Sequence, residues 1–179
     1  MAKLGSNLNS KNRIGILGGS FDPAHKGHLA ISKEAIKKFD LYSVIWAITK
    51  KNPFKNESES NLKNRIAKCK KIIKKNKLIK VKYYEDLIKS NKTIDLINHL
   101  SASKKLNLYF IMGADNLINF HKWYKWKQIS QKCNIIVFDR HGYKKKSLNS
   151  KTFKNLNKKQ IAFVEFNKVN ISSSQLRKI

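Results

Sequence analysis

The sequence predicts a doubly wound α/β fold, with a parallel sheet and helices on both faces, in a single domain. Three observations carry that expectation. Six short apolar runs recur along the chain, and four of the intervals between them carry helical segments. The length of 179 residues suits one domain, and 41% hydrophobic content is enough for a core. Strands alternating with helices imply right-handed crossovers and therefore parallel neighbours.

Residues 1 to 12 are polar and without periodicity, and read as a mobile tail ahead of a domain over 13–179. RIGILG (13–18) reads as a buried strand running into Gly18-Gly19. Residues 26–39 follow as a helix with Leu29, Ile36 and Phe39 on one side. YSVIWAI (42–48) is a second buried strand, and 51–60 a polar loop. Leu62, Ile66, Cys69 and Ile73 recur at spacings of four, three and four, an amphipathic helix whose apolar stripe takes in Cys69. KLIKVKYY (77–84) reads as a strand and TIDLINHL (93–100) as a helix. LNLYFIMG (106–113) is a strand ending in glycine, and ADNLINFHKW after it looks helical. CNIIVFDR (133–140) and QIAFVEFN (160–167) are the last strands, separated by a polar segment. Cys133 opens a buried strand and reads as inert.

No apolar run approaches the ~20 residues that span a bilayer, and the first residues lack the apolar centre of a secretory signal. A soluble, cytoplasmic protein is expected. The formal charge of +28 raises the possibility of nucleic-acid binding. Only Arg13, Arg65, Arg140 and Arg177 are arginines, however, and the lysines are spread along the whole chain. That distribution reads as a solvated surface with no specific nucleic-acid partner. Nothing in the sequence specifies an oligomeric state.

GILGGSFDPAHKGHLA (15–30) is the segment richest in chemistry. Ligands of open α/β sheets sit beyond the carboxyl ends of strands, at helix N-termini. Gly18 and Gly19 allow a phosphate close to the backbone. His25 and His28, three apart at a helix start, project towards one space, with Gly27 between them leaving room for a nucleotide. A metal pair is the alternative, but no carboxylate or cysteine stands at matching spacing.

GGSFDPAHKGH resembles the HxGH signature of the nucleotidyltransferase superfamily, with His25-Lys26-Gly27-His28 fitting it without a gap. ISSSQLR (171–177) is similar to that superfamily's ISSTxLR motif. Between them, WAITKKNPFK (46–55), FIMGADNLINFHKWYKW (110–126) and Asp139-Arg140 resemble the corresponding segments of nicotinate-nucleotide adenylyltransferases. Where that family often carries Tyr-Thr-x-x-Thr, this chain reads Lys92-Thr93-Ile94-Asp95-Leu96 and keeps one threonine.

The resemblance implies a Rossmann-like domain that transfers adenylyl from ATP to nicotinate mononucleotide, with Mg²⁺ arriving on the ATP. It makes His25, His28 and Arg177 catalytic. It places ATP on Gly18, Gly19, Ser20, Phe21, His25, His28, Ser172, Ser173, Ser174 and Arg177, with adenine over the 18–21 turn. It places the acceptor near Lys50, Lys55, Thr93, Asp115, Trp123, Tyr124 and Arg140, with Trp123 stacked on the pyridine ring. Near the ring's carboxylate the sequence shows no acidic group that would welcome an amide instead. Phosphopantetheine adenylyltransferase shares both end motifs and is the nearest alternative; a basic nucleic-acid-binding protein on the same fold is a more distant one.

Overall fold

The computed structural model describes residues 10–51, 60–74, 76–102, 105–139 and 142–166. Six strands form one sheet: β1 (Arg13–Gly19), β2 (Ser43–Ile48), β3 (Ile79–Tyr83), β4 (Asn107–Gly113), β5 (Asn134–Phe138) and β6 (Ile161–Val164). All pairings are parallel and the order is β3-β2-β1-β4-β5-β6. The order reverses between β1 and β4, which is where open sheets of this kind bind ligands.

Side chains alternate between two cores, as the period of two in a strand requires. Ile14, Ile16, Ile45, Phe110, Ile135 and Val137 point to one face. There they meet α4 (Thr93–Ala102), α5 (Ala114–Asn119) and α6 (Trp126–Lys132) through Ile94, Ile97, Leu117 and Ile129. Val44, Trp46, Tyr109, Ile111 and Phe138 point to the other, against α1 (Lys26–Phe39) and α2 (Leu62–Ile73). Because both faces are covered, strands such as β2 are buried at every position and read as continuous apolar runs. Cys69 and Cys133 are both buried, and burial pushes each thiol up to about 12, so neither is a ready nucleophile.

Several expectations need correction. The helical-looking segment after β4 is broken: α5 stops at Asn119 and a 3₁₀ turn covers Phe120–Lys122. Two short helices escaped the sequence reading upstream of that region and beyond it, α3 (Glu85–Ile88) and α6 itself. The polar stretch before β6 also holds α7 (Lys144–Leu148) and α8 (Lys151–Asn155). These have no apolar stripe to show in sequence. They are held by the Ser150 cap on Phe153 N (3.1 Å) and by the buried hydroxyls of Ser147 and Thr152. Of the expected tail, Ser10–Asn12 form a 3₁₀ turn directly ahead of β1, and residues 1–9 lie outside the described part.

Candidate active site

The strand register opens a crevice at the switch point. β1 pairs with β4 only as far as Leu17–Ile111. Beyond that, Gly18 and Gly19 continue with β2, whereas Met112 and Gly113 continue with β5. A cavity of about 350 Å³ occupies this end of the sheet. Its floor is Gly18, Gly19, Ala47, Ile48 and Phe110, and its walls include Tyr84, Glu85, Thr93, Trp123 and Tyr124.

Gly18 is informative because the protein itself does not require a glycine there. A Cβ at Gly18 would meet only Phe110, at an ordinary 3.5 Å, and one at Gly19 would meet Phe21 at 3.6 Å. Neither has a positive φ. The missing side chains leave room above the strand end, which is what close approach of a ligand to backbone needs. Gly15 differs: there a Cβ would press on Val44 at 2.9 Å, so that glycine serves the packing.

Beyond Gly19 the chain turns through Phe21, whose φ of 51° is left-handed. That conformation costs a bulky residue on the order of 1–3 kcal/mol, and must be imposed by its surroundings. The ring is the anchor: it is 2% exposed and stacks on Trp46 at 5.0 Å. Phe21 can therefore offer a nucleotide its backbone, not its ring. Ser20 is buried beside it.

His25 and His28 begin α1 as a reciprocal cap. His25 Nδ1 accepts from Gly27 N at 3.1 Å, and His28 Nδ1 accepts from His25 N at 3.2 Å. An Nδ1 that accepts a backbone N–H carries no proton of its own in the neutral ring, so this hydrogen-bond pattern assigns the proton to Nε2 in both. The rings lie 3.9 Å apart. Behind them, Trp46 Nε1 donates to Ser32 Oγ (2.8 Å), which donates to the His28 carbonyl (2.7 Å). Two imidazoles of fixed tautomer thus stand at the positive end of a fourteen-residue helix. Trp46, in the buried run of β2, also supports the histidine pair in this way.

The other wall is assembled from the start of α4 and the turn after α5. Ser90 Oγ accepts from Lys92 N (3.1 Å) and donates to Asp95 (2.6 Å), which fixes the entry to α4 with Thr93 on the cavity. Trp123 meets Phe110 and Phe120 edge-on, at 5.8 and 5.3 Å, and lines the cavity with the exposed Tyr124 and Lys122. Tyr84, the last residue of the KLIKVKYY run, is part of this wall.

Two further residues were not singled out from sequence. Glu85 lines the cavity, so an acidic group does stand near the expected acceptor. Its oxygens are engaged: one by the Thr49 hydroxyl, the other by Lys50 N at 3.1 Å. Arg65, 2% exposed, makes four hydrogen bonds, all to backbone carbonyls: Ser20, Thr49, Lys50 and Ser60. Removing the guanidinium would strand the buried Ser20 carbonyl, at about 1–3 kcal/mol. One signal was available: an arginine is unusual in a chain that otherwise uses lysine.

Of the expected site residues, the cavity gathers Gly18, Gly19, Thr93, Trp123 and Tyr124. Lys50 lies at its edge, next to Thr49. Ser20, Phe21, His25 and His28 form the adjoining turn rather than the lining. Asp115 is not among the residues that line the cavity. Its carboxylate folds back over Gly113, where any Cβ would collide with Oδ1. Lys55, Arg140, Ser172, Ser173, Ser174 and Arg177 lie outside the described residues. Among the described residues no three His, Cys, Asp or Glu side chains cluster as a metal site, and no helix is long and apolar enough to cross a membrane.

The chain matches the cytidylyltransferase-like family over residues 16–179. It is 66% identical, over 100% of both chains, to a protein of Pelagibacter ubique named "probable nicotinate-nucleotide adenylyltransferase". A protein of the same name from Agrobacterium fabrum is 36% identical over 72% of this chain and 70% of its own. The fold is shared with Plasmodium falciparum nicotinic acid mononucleotide adenylyltransferase complexed with NaAD. That likeness has a TM-score of 0.78 at 20% identity and covers 93% of this chain and 83% of the other. Sequence, register and site geometry converge on one assignment: the chain belongs to the cytidylyltransferase-like family and, within it, to the nicotinate-nucleotide adenylyltransferases.

Proposed function

We propose that this protein transfers the adenylyl group of ATP to nicotinate mononucleotide, giving deamido-NAD and pyrophosphate. The family supports the reaction, and the reciprocal histidine cap beside the cavity is the observation that carries it in this chain. A phosphate oxygen of the mononucleotide attacks the α-phosphorus of ATP in line. The bond from the α-phosphorus to the bridging oxygen breaks as the new P–O bond forms, and pyrophosphate leaves. No protein nucleophile is consumed, so catalysis is positioning plus charge stabilisation.

Both histidines would present Nε2–H towards the ATP phosphates, where negative charge grows in the transition state. Because the backbone N–H groups of Gly27 and His25 already occupy Nδ1, the rings need no reorganisation when substrate arrives. ATP would lie over the 18–21 turn, with Ser172–Ser174 and Arg177 on the departing pyrophosphate. Mg²⁺ carried by the ATP would supply charge neutralisation at the same phosphates. On the other wall, Trp123 would stack on the pyridine ring. Thr93, the N-terminal end of α4 and the backbone at Tyr124 would receive its carboxylate. Lys50, Lys55 and Arg140 are candidates for the acceptor phosphate; the folded-back carboxylate of Asp115 would act through the β4 end rather than on the ligand.

The test is pyrophosphate release with ATP and a panel of acceptors. Nicotinate mononucleotide should be used, and phosphopantetheine should not. Turnover with phosphopantetheine alone would overturn the acceptor, and no turnover with any acceptor would overturn adenylyl transfer itself.

A further inference from the structure

We infer that Arg65 is a positioning residue that couples the ATP side of the site to the acceptor side. The inference rests on the adenylyl-transfer reading above. The two substrates would approach different strand ends, ATP the turn after β1 and the acceptor phosphate Lys50 after β2. In-line transfer requires those ends to hold one spacing.

Arg65 reaches both ends from α2. Nη1 donates to the Ser20 carbonyl (2.6 Å), immediately after Gly18-Gly19, and to the Thr49 carbonyl (2.8 Å), on the cavity wall. Nη2 donates to the Lys50 carbonyl at 2.9 Å, and Nε to the Ser60 carbonyl at 3.0 Å. One rigid planar group therefore ties the turn after β1 to the two residues after β2. Glu85 grips the same two residues from the opposite side, through the Thr49 hydroxyl and Lys50 N. Segment 49–50 is held between a buried cation and a carboxylate that never touch each other in these bonds.

A clamp needed only for stability could be apolar, since burying a cation away from a carboxylate is costly. What a guanidinium adds is direction: several donors in one plane at fixed angles. Lysine, the basic residue this chain uses nearly everywhere else, offers a single point with rotating donors and cannot hold both carbonyl groups at once in that geometry. Because Arg65 ties the rigid Ser20 turn to Thr49 and Lys50, ATP seated on that turn also fixes the position of segment 49–50 for the acceptor. Acceptor affinity should depend on whether ATP is bound.

The test compares the wild type with Arg65→Lys by calorimetry and steady-state kinetics. In the wild type, a non-hydrolysable ATP analogue should tighten nicotinate mononucleotide binding by roughly 5-fold or more, the ordinary lower range of site-to-site coupling. In R65K that factor should fall to near one. Its kcat should drop on the order of 100-fold, as for a displaced near-attack geometry, with KM for ATP changing much less. A purely structural arginine would lower Tm and the active fraction but leave the coupling factor of the folded molecules intact. An unchanged factor in R65K, or no coupling in the wild type, overturns the inference. Should R65K not fold, Thr49→Val loosens the same segment from the Glu85 side and should reduce the coupling; retention of the full factor would equally overturn it. Failure of the adenylyl-transfer reading would look different, because the wild type would then release no pyrophosphate.

Discussion

Two stretches face the same crevice and are built in different ways. On the ATP side, Ser20, Phe21, Asp22 and His25 are buried, the turn is stacked on Trp46, and the histidines cap one another. On the acceptor side, Asn91, Lys92, Lys122 and Tyr124 are exposed, while Tyr84, Glu85, Thr93 and Trp123 are half-buried. One stretch is preorganised before substrate arrives, and the other must be ordered by it, at a cost in binding free energy. Loss of a preorganised donor on the first side should therefore appear in kcat, and loss of contacts on the second in KM.

His28→Ala tests that division most severely. Loss of one preorganised donor to developing charge should lower kcat by roughly 10²–10³, read by steady-state kinetics. The cap adds a second effect that sequence reading did not foresee. His28 Nδ1 satisfies His25 N, so the variant should also lose about 0.5–2 kcal/mol of stability, visible as a Tm lower by several degrees. Near-normal turnover would remove His28 from the mechanism and blur the contrast between the two sides.

The acceptor's ring substituent comes next. Nicotinate mononucleotide should be preferred to its amide by roughly ten- to hundredfold in kcat/KM, because an amide NH₂ facing N–H donors leaves one unpaired. Among the described residues that line the cavity Glu85 is the one acidic group, and the preference depends on its oxygens staying with Thr49 and Lys50. Equal use of both acceptors would mean that Glu85 turns to the ligand, and that the exposed wall rearranges more than the donor side.

Legibility in the sequence follows the same division of physics. Strands buried on both faces are unbroken apolar runs, so SVIWAI and NIIVF announced themselves, and the histidine pair was marked by its spacing at a strand-to-helix turn. α7 and α8, KKKSL and KTFKN, carry no stripe; their buried Ser147 and Thr152 are tertiary choices that no local pattern encodes. Arg65 was hidden for a related reason. Its partners are carbonyls, and a carbonyl is the same whatever residue carries it. Glu85 was hidden because a one-turn helix has too few positions to show a period.

Gly18→Ala separates binding from stability with the opposite signature to His28→Ala. The new methyl would meet only Phe110 at 3.5 Å within the protein, so the fold should tolerate it, and the lost backbone freedom of the unfolded chain should leave Tm unchanged or slightly raised. The methyl stands in the cavity, however. Crowding of a fitted ligand typically costs about 1–3 kcal/mol, so substrate KM should rise roughly tenfold. An unchanged KM would show that no substrate approaches the end of β1, and would move the site away from the strand ends altogether.

The smallest effect is expected at Trp123, and its value lies in a ratio. Stacking contributes about 0.5–1.5 kcal/mol beyond simple burial, so Trp123→Ala should weaken either mononucleotide by roughly three- to tenfold. Stacking reads the ring and not the substituent, so the factor should be the same for acid and amide, and the preference between them should survive. The indole also packs edge-on against Phe110 and Phe120, so some Tm will be lost with it. That loss cannot mimic the expected result, because a general loosening of the wall would erode discrimination between the two acceptors as well as affinity. A preference that collapses in W123A would therefore make Trp123 a brace for the carboxylate-binding backbone near Tyr124, and the acceptor side would prove as preorganised as the histidine turn.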